Sequence, residues 1–216
     1  MQIQEIIHNI SLKLSRLKSL DKGFEIFGAD SHQYKSKKIS VADIQIFEKR
    51  LSVSLPLDFK EFLINIGSGA GPCYGIFTLE KMLHEYEEWA FDLNPDSKPS
   101  TLSEIKNLHA EVLVQKKINY PKEYNYYRLK TANGILPIQT DGCTYYAFIV
   151  LNGEQSGKIW NTDTNEFDSL PAGSVQEWHF LEWYDNWLNE SLSKFGDISL
   201  HQTEISQKKW WQRLFN

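Results

Sequence analysis

The most informative stretch of the chain covers residues 44–76 and reads IQIFEKRLSVSLPLDFKEFLINIGSGAGPCYGI. Within it, Pro56 suits the first turn of a helix, where the missing N–H of proline costs nothing. Phe59 and Phe62 follow at helical spacing, and Gly67 predicts the end of that helix. The stretch therefore predicts a helix with a buried aromatic face that runs directly into a glycine-rich loop built from tight turns.

Two amphipathic helices are predicted before this stretch. Near the start of the chain, apolar residues recur at helical spacing, namely Ile3, Ile6, Ile7, Ile10, Leu14 and Leu17. Further along, Ser40 is followed by Asp43 in the manner of a capping box, and the apolar stripe of a short helix comes next. We expect the first helix, within residues 1–30, to pack on the domain rather than on a membrane.

The second half of the chain changes to β structure. Short apolar segments separated by turn residues indicate strands at 135–138, 144–151 and 157–160. Apolar residues at helical spacing then predict one long helix, through Val175, Trp178, Leu181, Tyr184, Leu188 and Phe195. The pattern predicts one α+β domain over residues 31–195, with a central, mainly antiparallel sheet and helices packed against it. We expect the tail at 196–216 to pack back onto that domain.

Composition and charge exclude several classes of protein. The 216 residues carry a net charge of −5, which disfavours nonspecific binding to nucleic acid or to an anionic membrane. Cys73 and Cys143 allow one disulfide arithmetically, but they exclude a disulfide-dense scaffold and a four-thiolate zinc site. No apolar run approaches a membrane span, and residues 1–20 lack the continuous apolar core of a signal peptide. We therefore expect a cytoplasmic protein.

The spacings of common catalytic and metal-binding motifs are missing from the sequence. The glycines after Gly67 follow a helix, whose C-terminal end repels phosphate, so they do not predict a nucleotide site. No two histidines have the i, i+4 spacing of a zinc helix, and no Gly-x-Ser-x-Gly elbow occurs. The sequence predicts no catalytic residue, cofactor or metal site. A metal site assembled from distant residues stays open, as does a hydrolase in which Cys73 or a histidine meets carboxylates.

The distribution of acidic residues is more informative. Residues 154–190 contain eight acids against the single base Lys158, and residues 80–96 contain six against Lys81 alone. Aromatic residues are interleaved with these acids, as in surfaces that dock a protein partner. An ordinary solvated face is the alternative. The candidate partner-binding residues are Glu85, Glu87, Glu88, Asp92, Asp163, Glu166 and Asp168.

The order and spacing of several short motifs resemble the SUKH superfamily over about residues 40–190. In the first half the motifs are Ile44-x-x-Phe47-Glu48, Leu55-Pro56-x-Asp58-Phe59-Lys60-x-Phe62-Leu63 and Gly71-Pro72-Cys73-Tyr74-Gly75-Ile76. In the second half they are Leu136-Pro137-Ile138, Asp141-Gly142-Cys143 and Gly157-Lys158-Ile159-Trp160. The superfamily includes Smi/Knr-type regulators of fungal cell-wall assembly and many bacterial immunity proteins. The resemblance implies an α+β fold without catalytic residues.

The resemblance also implies a function. Bacterial members bind and neutralise a cognate toxin, frequently a nuclease, and an acidic protein suits a basic partner of that kind. We therefore expect an intracellular immunity protein that occludes the active site of a polymorphic toxin, without direct contact to nucleic acid or membrane. The alternatives are a regulatory adaptor in cell-envelope or cell-wall signalling and an undetected hydrolase.

Overall fold

The computed structural model of the chain describes residues 2–89, 134–143, 145–153, 155–163 and 173–197. The helices in these ranges are α1 (Gln2–Leu20), α2 (Ala29–His32), α3 (Val41–Leu51), α4 (Leu57–Asn65), α5 (Leu79–Trp89) and α6 (Phe180–Ser193). The strands are β1 (Ser36–Lys37), β2 (Ser68–Gly69), β3 (Ile135–Gly142), β4 (Tyr145–Val150), β5 (Lys158–Asp163) and β6 (Gly173–His179). The segment between α5 and β3 and the tail from residue 198 lie outside the described residues, so the expectation for the tail stays a prediction.

The main sheet has four strands in the order β3-β4-β5-β6, and every neighbouring pair is antiparallel. Strands β1 and β2 form a separate antiparallel pair. One face of the main sheet, through Leu136, Ile149 and Ile159, belongs to the same buried core as the helices. The predicted α+β class, with a mainly antiparallel sheet and helices packed against it, is confirmed.

Local signals in the sequence explain where α3 and α4 begin and end. The Ser40 hydroxyl accepts a hydrogen bond from the backbone N–H of Asp43 at 3.1 Å, as the predicted cap requires. Pro56 is the residue immediately before the first turn of α4. Gly67 ends that helix with a φ of 103°, in the left-handed region that favours glycine. The ends of α3 and α4 are therefore set by residues within a few positions of each helix.

Aromatic side chains join α4 to α6 in the centre of the core. The ring of Phe180 lies 4.7 Å from Phe59 and 4.9 Å from Phe62, between ring centroids, in edge-to-face geometry. Tyr184 packs against Phe62 at 4.6 Å, and its hydroxyl donates a hydrogen bond of 2.8 Å to the carbonyl of Ala70. The glycine-rich loop is thus fastened to the same cluster that holds the two helices together.

Helix α1 packs on α4 and α6 through its apolar face. Lys13 lies within this interface, only 4% exposed, and its Nζ contacts the two carboxylate oxygens of Asp185 at 2.8 and 2.9 Å. Asn189 donates a further hydrogen bond to Oδ2 of that carboxylate at 3.3 Å. A buried ion pair therefore fixes how α1 sits against α6.

The prediction of one continuous helix through Val175 and Phe195 is wrong in its first part. Residues 173–179 form strand β6, and α6 begins only at Phe180. The backbone of β6 pairs with β5 between Gly173 and Thr162 and between Val175 and Trp160. Hydrogen bonds to a neighbouring strand override a short helical repeat of apolar residues, because intrinsic propensity is the weaker effect.

None of the described helices combines the length and the apolar character that crossing a membrane requires.

Candidate partner-binding surface

The glycine-rich loop is packed against backbone rather than open to a ligand. A Cβ on Gly67 would lie 2.1 Å from the carbonyl oxygen of Lys37, so no larger residue fits there. Several N–H groups of the loop are used internally: Gly69 donates to Ile76, Ala70 donates to Lys35 and Gly75 donates to Pro72. Because these donors are already engaged, the loop holds β1 and β2 together and does not form a phosphate cradle.

Cys73 lies in this loop, half-buried, and its thiol is hydrogen-bonded to the carboxylate of Asp141. Burial, followed by that negative charge, raises the pKa of the thiol to about 12. The thiolate is the nucleophilic form of cysteine, and a raised pKa keeps it scarce at neutral pH. This arrangement disfavours Cys73 as a nucleophile. Cys143 is an exposed free thiol.

Asp58 and His179 lie on either side of Gly157, where α4 and α6 begin. A Cβ on Gly157 would be 3.6 Å from Asp58 Oδ1 and 3.0 Å from His179 Nδ1. Burial raises the pKa of Asp58 to about 6, and burial, with the nearby charge of Lys158, lowers the pKa of His179 to about 4. Asp58 is only 3% exposed, so this pair supports helix packing rather than chemistry on a substrate. Among the described residues, His, Cys, Asp and Glu side chains form no group of three that could hold a metal.

Glu85, a candidate from the acidic stretch at 80–96, points into the fold from α5. Its side chain is 8% exposed, and its carboxylate forms an ion pair with Lys81 one turn earlier. Tyr146 of β4 donates a hydrogen bond to the same carboxylate, and burial together with that negative charge raises the pKa of Tyr146 to about 12. Glu85 therefore connects α5 to the sheet and exposes little surface to a partner.

Glu87, two residues after Glu85 on α5, faces solvent. Its side chain is 57% exposed, and Oε1 lies 2.9 Å from a guanidinium nitrogen of Arg50 at the end of α3. Glu88 belongs to the same helix. Asp163 is the last residue of β5. Asp92, Glu166 and Asp168 lie outside the described residues, so their place on the surface stays a prediction.

The fold brings α5 and the end of β5 to the same end of the sheet. Tyr146, which contacts Glu85, has Thr162 as its partner in β5, and the preceding pair joins Tyr145 to Asp163. Successive residues of a strand face opposite sides, so Tyr145 lies on the face opposite to Glu85. Glu85 thus lies one residue pair from the end of β5, and Tyr145 lies on the other face of the sheet.

Sequence reasoning missed a group of exposed aromatic residues at this end of the sheet. Phe27, Tyr74 and Tyr145 are 59%, 43% and 52% exposed, and they come from three separate segments. The rings of Phe27 and Tyr74 are 5.6 Å apart between centroids. Single aromatic residues in loops carry no periodic signal, so only the folded chain brings them together.

A search of curated proteins finds no match to this chain. The model of one protein family does match, over residues 38–191, which include every described element from α3 to nearly the end of α6. The matched range contains the capped helix α3, the aromatic helix α4, the glycine-rich loop and the antiparallel sheet described above. The chain belongs to the SMI1 / KNR4 family (SUKH-1).

Proposed function

We propose that this protein is a cytoplasmic immunity protein that binds a cognate polymorphic toxin, a basic nuclease domain, and occludes its active site. Family membership supports a protein that acts by binding another protein, as an immunity protein or as a regulator. The observation that carries the choice is the exposed carboxylate of Glu87 on α5, which belongs to a stretch with six acids against one base. An acidic surface of this kind is complementary to a protein that grips phosphate.

In this mechanism the carboxylates take the place of nucleic-acid phosphates. The contact set comprises Glu85, Glu87, Glu88, Asp92, Asp163, Glu166 and Asp168. Glu87 acts directly, by exchanging its exposed contact with Arg50 for a lysine or arginine of the toxin. Glu85 acts from beneath the surface, where its hydrogen bond with Tyr146 anchors α5. No bond is made or broken in the toxin, so the protein is an inhibitor and not an enzyme.

Charge reversal tests the surface. The chain is used as bait, a basic toxin domain that elutes at high salt is isolated, and its affinity is measured by calorimetry at several salt concentrations. Glu87→Lys and Glu88→Lys should each weaken binding by about tenfold and flatten the salt dependence, because each removes an attraction and adds a repulsion. Glu5→Lys is the matched control, since it reverses an exposed glutamate on α1. Wild-type affinity in both α5 variants would exclude this surface.

A regulatory adaptor in cell-envelope signalling is the second candidate, and family membership itself favours it. An adaptor would capture several host proteins, whereas an immunity protein would capture one basic toxin domain in a one-to-one ratio. Nuclease assays separate the two roles, because an immunity protein abolishes the activity of its partner at a one-to-one ratio. Host partners without any toxin would overturn the immunity role.

A further inference from the structure

Three exposed aromatic side chains converge on one face at the end of the main sheet. Phe27 contacts Tyr74 with its ring plane inclined at 60°. Tyr74 in turn covers Gly142, since a Cβ on Gly142 would meet Tyr74 Cε2 at 3.0 Å. Gly142 is the direct partner of Tyr145 across β3 and β4, and opposed residues of an antiparallel pair project to the same face. We call Phe27, Tyr74 and Tyr145 the aromatic patch.

The backbone beneath the aromatic patch is held rigidly. Gly28, next to Phe27, packs so tightly on the carbonyl of Cys73 that a Cβ there would lie 2.1 Å from the oxygen. On the other side, Gln139 donates a hydrogen bond to the carbonyl of Pro72 at 3.3 Å, and Asp141 accepts one from the thiol of Cys73. A surface already fixed in this way loses little conformational entropy when a partner binds.

The segments that supply the aromatic patch carry acids but no lysine or arginine. The three segments that supply it, residues 24–31, 71–77 and 139–146, contain Glu25, Asp30 and Asp141 but no lysine or arginine. All three of these acids are exposed. The partner of Tyr145 in the next strand is Asp163, a further acid at the same end.

Aromatic faces bordered by carboxylates are complementary to guanidinium groups. Arginine stacks on a tyrosine or phenylalanine ring through its planar cation and simultaneously forms a forked pair with a carboxylate. Lysine, as a hydrated point charge, gains less from the rings. Tyrosine anchors surrounded by a polar rim are also the usual composition of energetic centres in protein interfaces.

We propose that the aromatic patch is the anchor of the docking surface, and that it receives arginine side chains from a basic protein. This inference rests on the proposed function only in taking the partner to be basic. It shifts the centre of binding from α5 to the opposite face of the sheet, where Phe27, Tyr74 and Tyr145 provide the contact area. The neighbouring acids orient the incoming arginines.

The test uses the full chain, an arginine-rich peptide and a lysine-rich peptide of equal length and charge. In NMR titrations, the changes in amide chemical shift on adding peptide should concentrate at residues 27–28, 73–75 and 142–146. The arginine-rich peptide should bind several-fold more tightly than the lysine-rich one. Tyr74→Ser and Tyr145→Ser should each weaken that binding by about tenfold. Asp30→Asn should reduce its salt dependence, whereas Glu5→Gln, on exposed α1, should not.

Leu12→Ser is the matched control for lost apolar surface, because Leu12 is 56% exposed on α1. Since Tyr74 also packs on Gly142, Tyr145→Ser serves as the second variant if Tyr74→Ser fails to fold. Shifts confined to α5, equal affinity for both peptides, or no binding of either peptide would overturn the aromatic patch while leaving the proposed function standing. Absence of any basic protein partner would instead overturn the proposed function, even where the peptide binds the patch.

Discussion

Replacing Lys13 with methionine removes the positive charge from a buried ion pair and keeps the length of the side chain. Lys13 and Asp185 are 4% and 5% exposed, and the lysine Nζ lies within 2.9 Å of both carboxylate oxygens. Without the lysine, the carboxylate keeps the hydrogen bond from Asn189 but no opposite charge. Breaking a buried pair on one side costs about 3–5 kcal/mol, a large part of the ~5–15 kcal/mol that stabilises a typical domain.

The double variant Lys13→Met/Asp185→Leu should behave in the opposite way. It replaces the ion pair with apolar side chains of similar volume, which is neutral or stabilising by about 1–4 kcal/mol in comparable cases. The free energies of unfolding are obtained from urea titrations followed by tryptophan fluorescence at neutral pH. We expect the double variant to be more stable than Lys13→Met by at least about 3 kcal/mol, with an unchanged denaturant slope.

Arg16 offers the control on the same helix. Its side chain is 54% exposed and its Nε lies 2.6 Å from Asp197, so Arg16→Met removes an exposed charge and should cost at most about 1 kcal/mol. If Lys13→Met costs no more than Arg16→Met, burial does not set the energy of the Lys13 pair. The single variant Asp185→Leu completes the cycle. If the effects of Lys13→Met and Asp185→Leu simply add in the double variant, the two side chains are not coupled and the reasoning fails.

Two further variants probe the pH dependence of stability, and two glycine variants probe the backbone. The pKa of Asp58 is near 4 in the unfolded chain and about 6 in the folded one, so the free energy of unfolding falls as pH rises between these values. In urea titrations between pH 4 and 7, Asp58→Asn should therefore become more stable relative to the wild type by up to about 3 kcal/mol. The lowered pKa of His179 acts with the opposite sign, because stability is lost as pH falls from 6.5 to about 4. His179→Gln should therefore lose less stability in acid than the wild type. An equal loss in both proteins would contradict the lowered pKa of His179. Gly28→Ala should lower stability by about 2–4 kcal/mol in thermal unfolding, because the φ of Gly28 is 76° and a Cβ there would overlap the carbonyl of Cys73. Gly196→Ala is the control: its φ is 72° but the space around it is open, so it should cost only about 1 kcal/mol.

The parts of the fold that local chemistry determines could be predicted from the sequence. The cap at Ser40, the aromatic face of α4 and the glycine stop at Gly67 each depend on neighbours within a few residues. The apolar stripe of α1 likewise predicted its buried face. Together with the short apolar segments that form β3, β4 and β5, these features made the α+β class predictable.

Features that depend on distant partners could not be predicted in the same way. Lys13 interrupts a helix face in the sequence, and only the approach of Asp185 from α6 makes its burial favourable. Glu85 looked like a surface acid because nothing near it in sequence indicates the hydroxyl of Tyr146. Val175 fits a helical repeat, but strand β5 supplies hydrogen bonds that a repeat of apolar residues does not reveal.

The segment that precedes the family match contributes to both stability and the proposed docking surface. The match begins at residue 38, yet Lys13 neutralises Asp185 and Phe27 contacts Tyr74 within the aromatic patch. A fragment restricted to the matched residues would leave the buried carboxylate of Asp185 unpaired and remove one of three aromatic anchors. Its loss of binding would therefore mix a folding defect with a missing contact. Point variants of the full chain separate the two, because Tyr145→Ser alters the patch without touching the interface of α1.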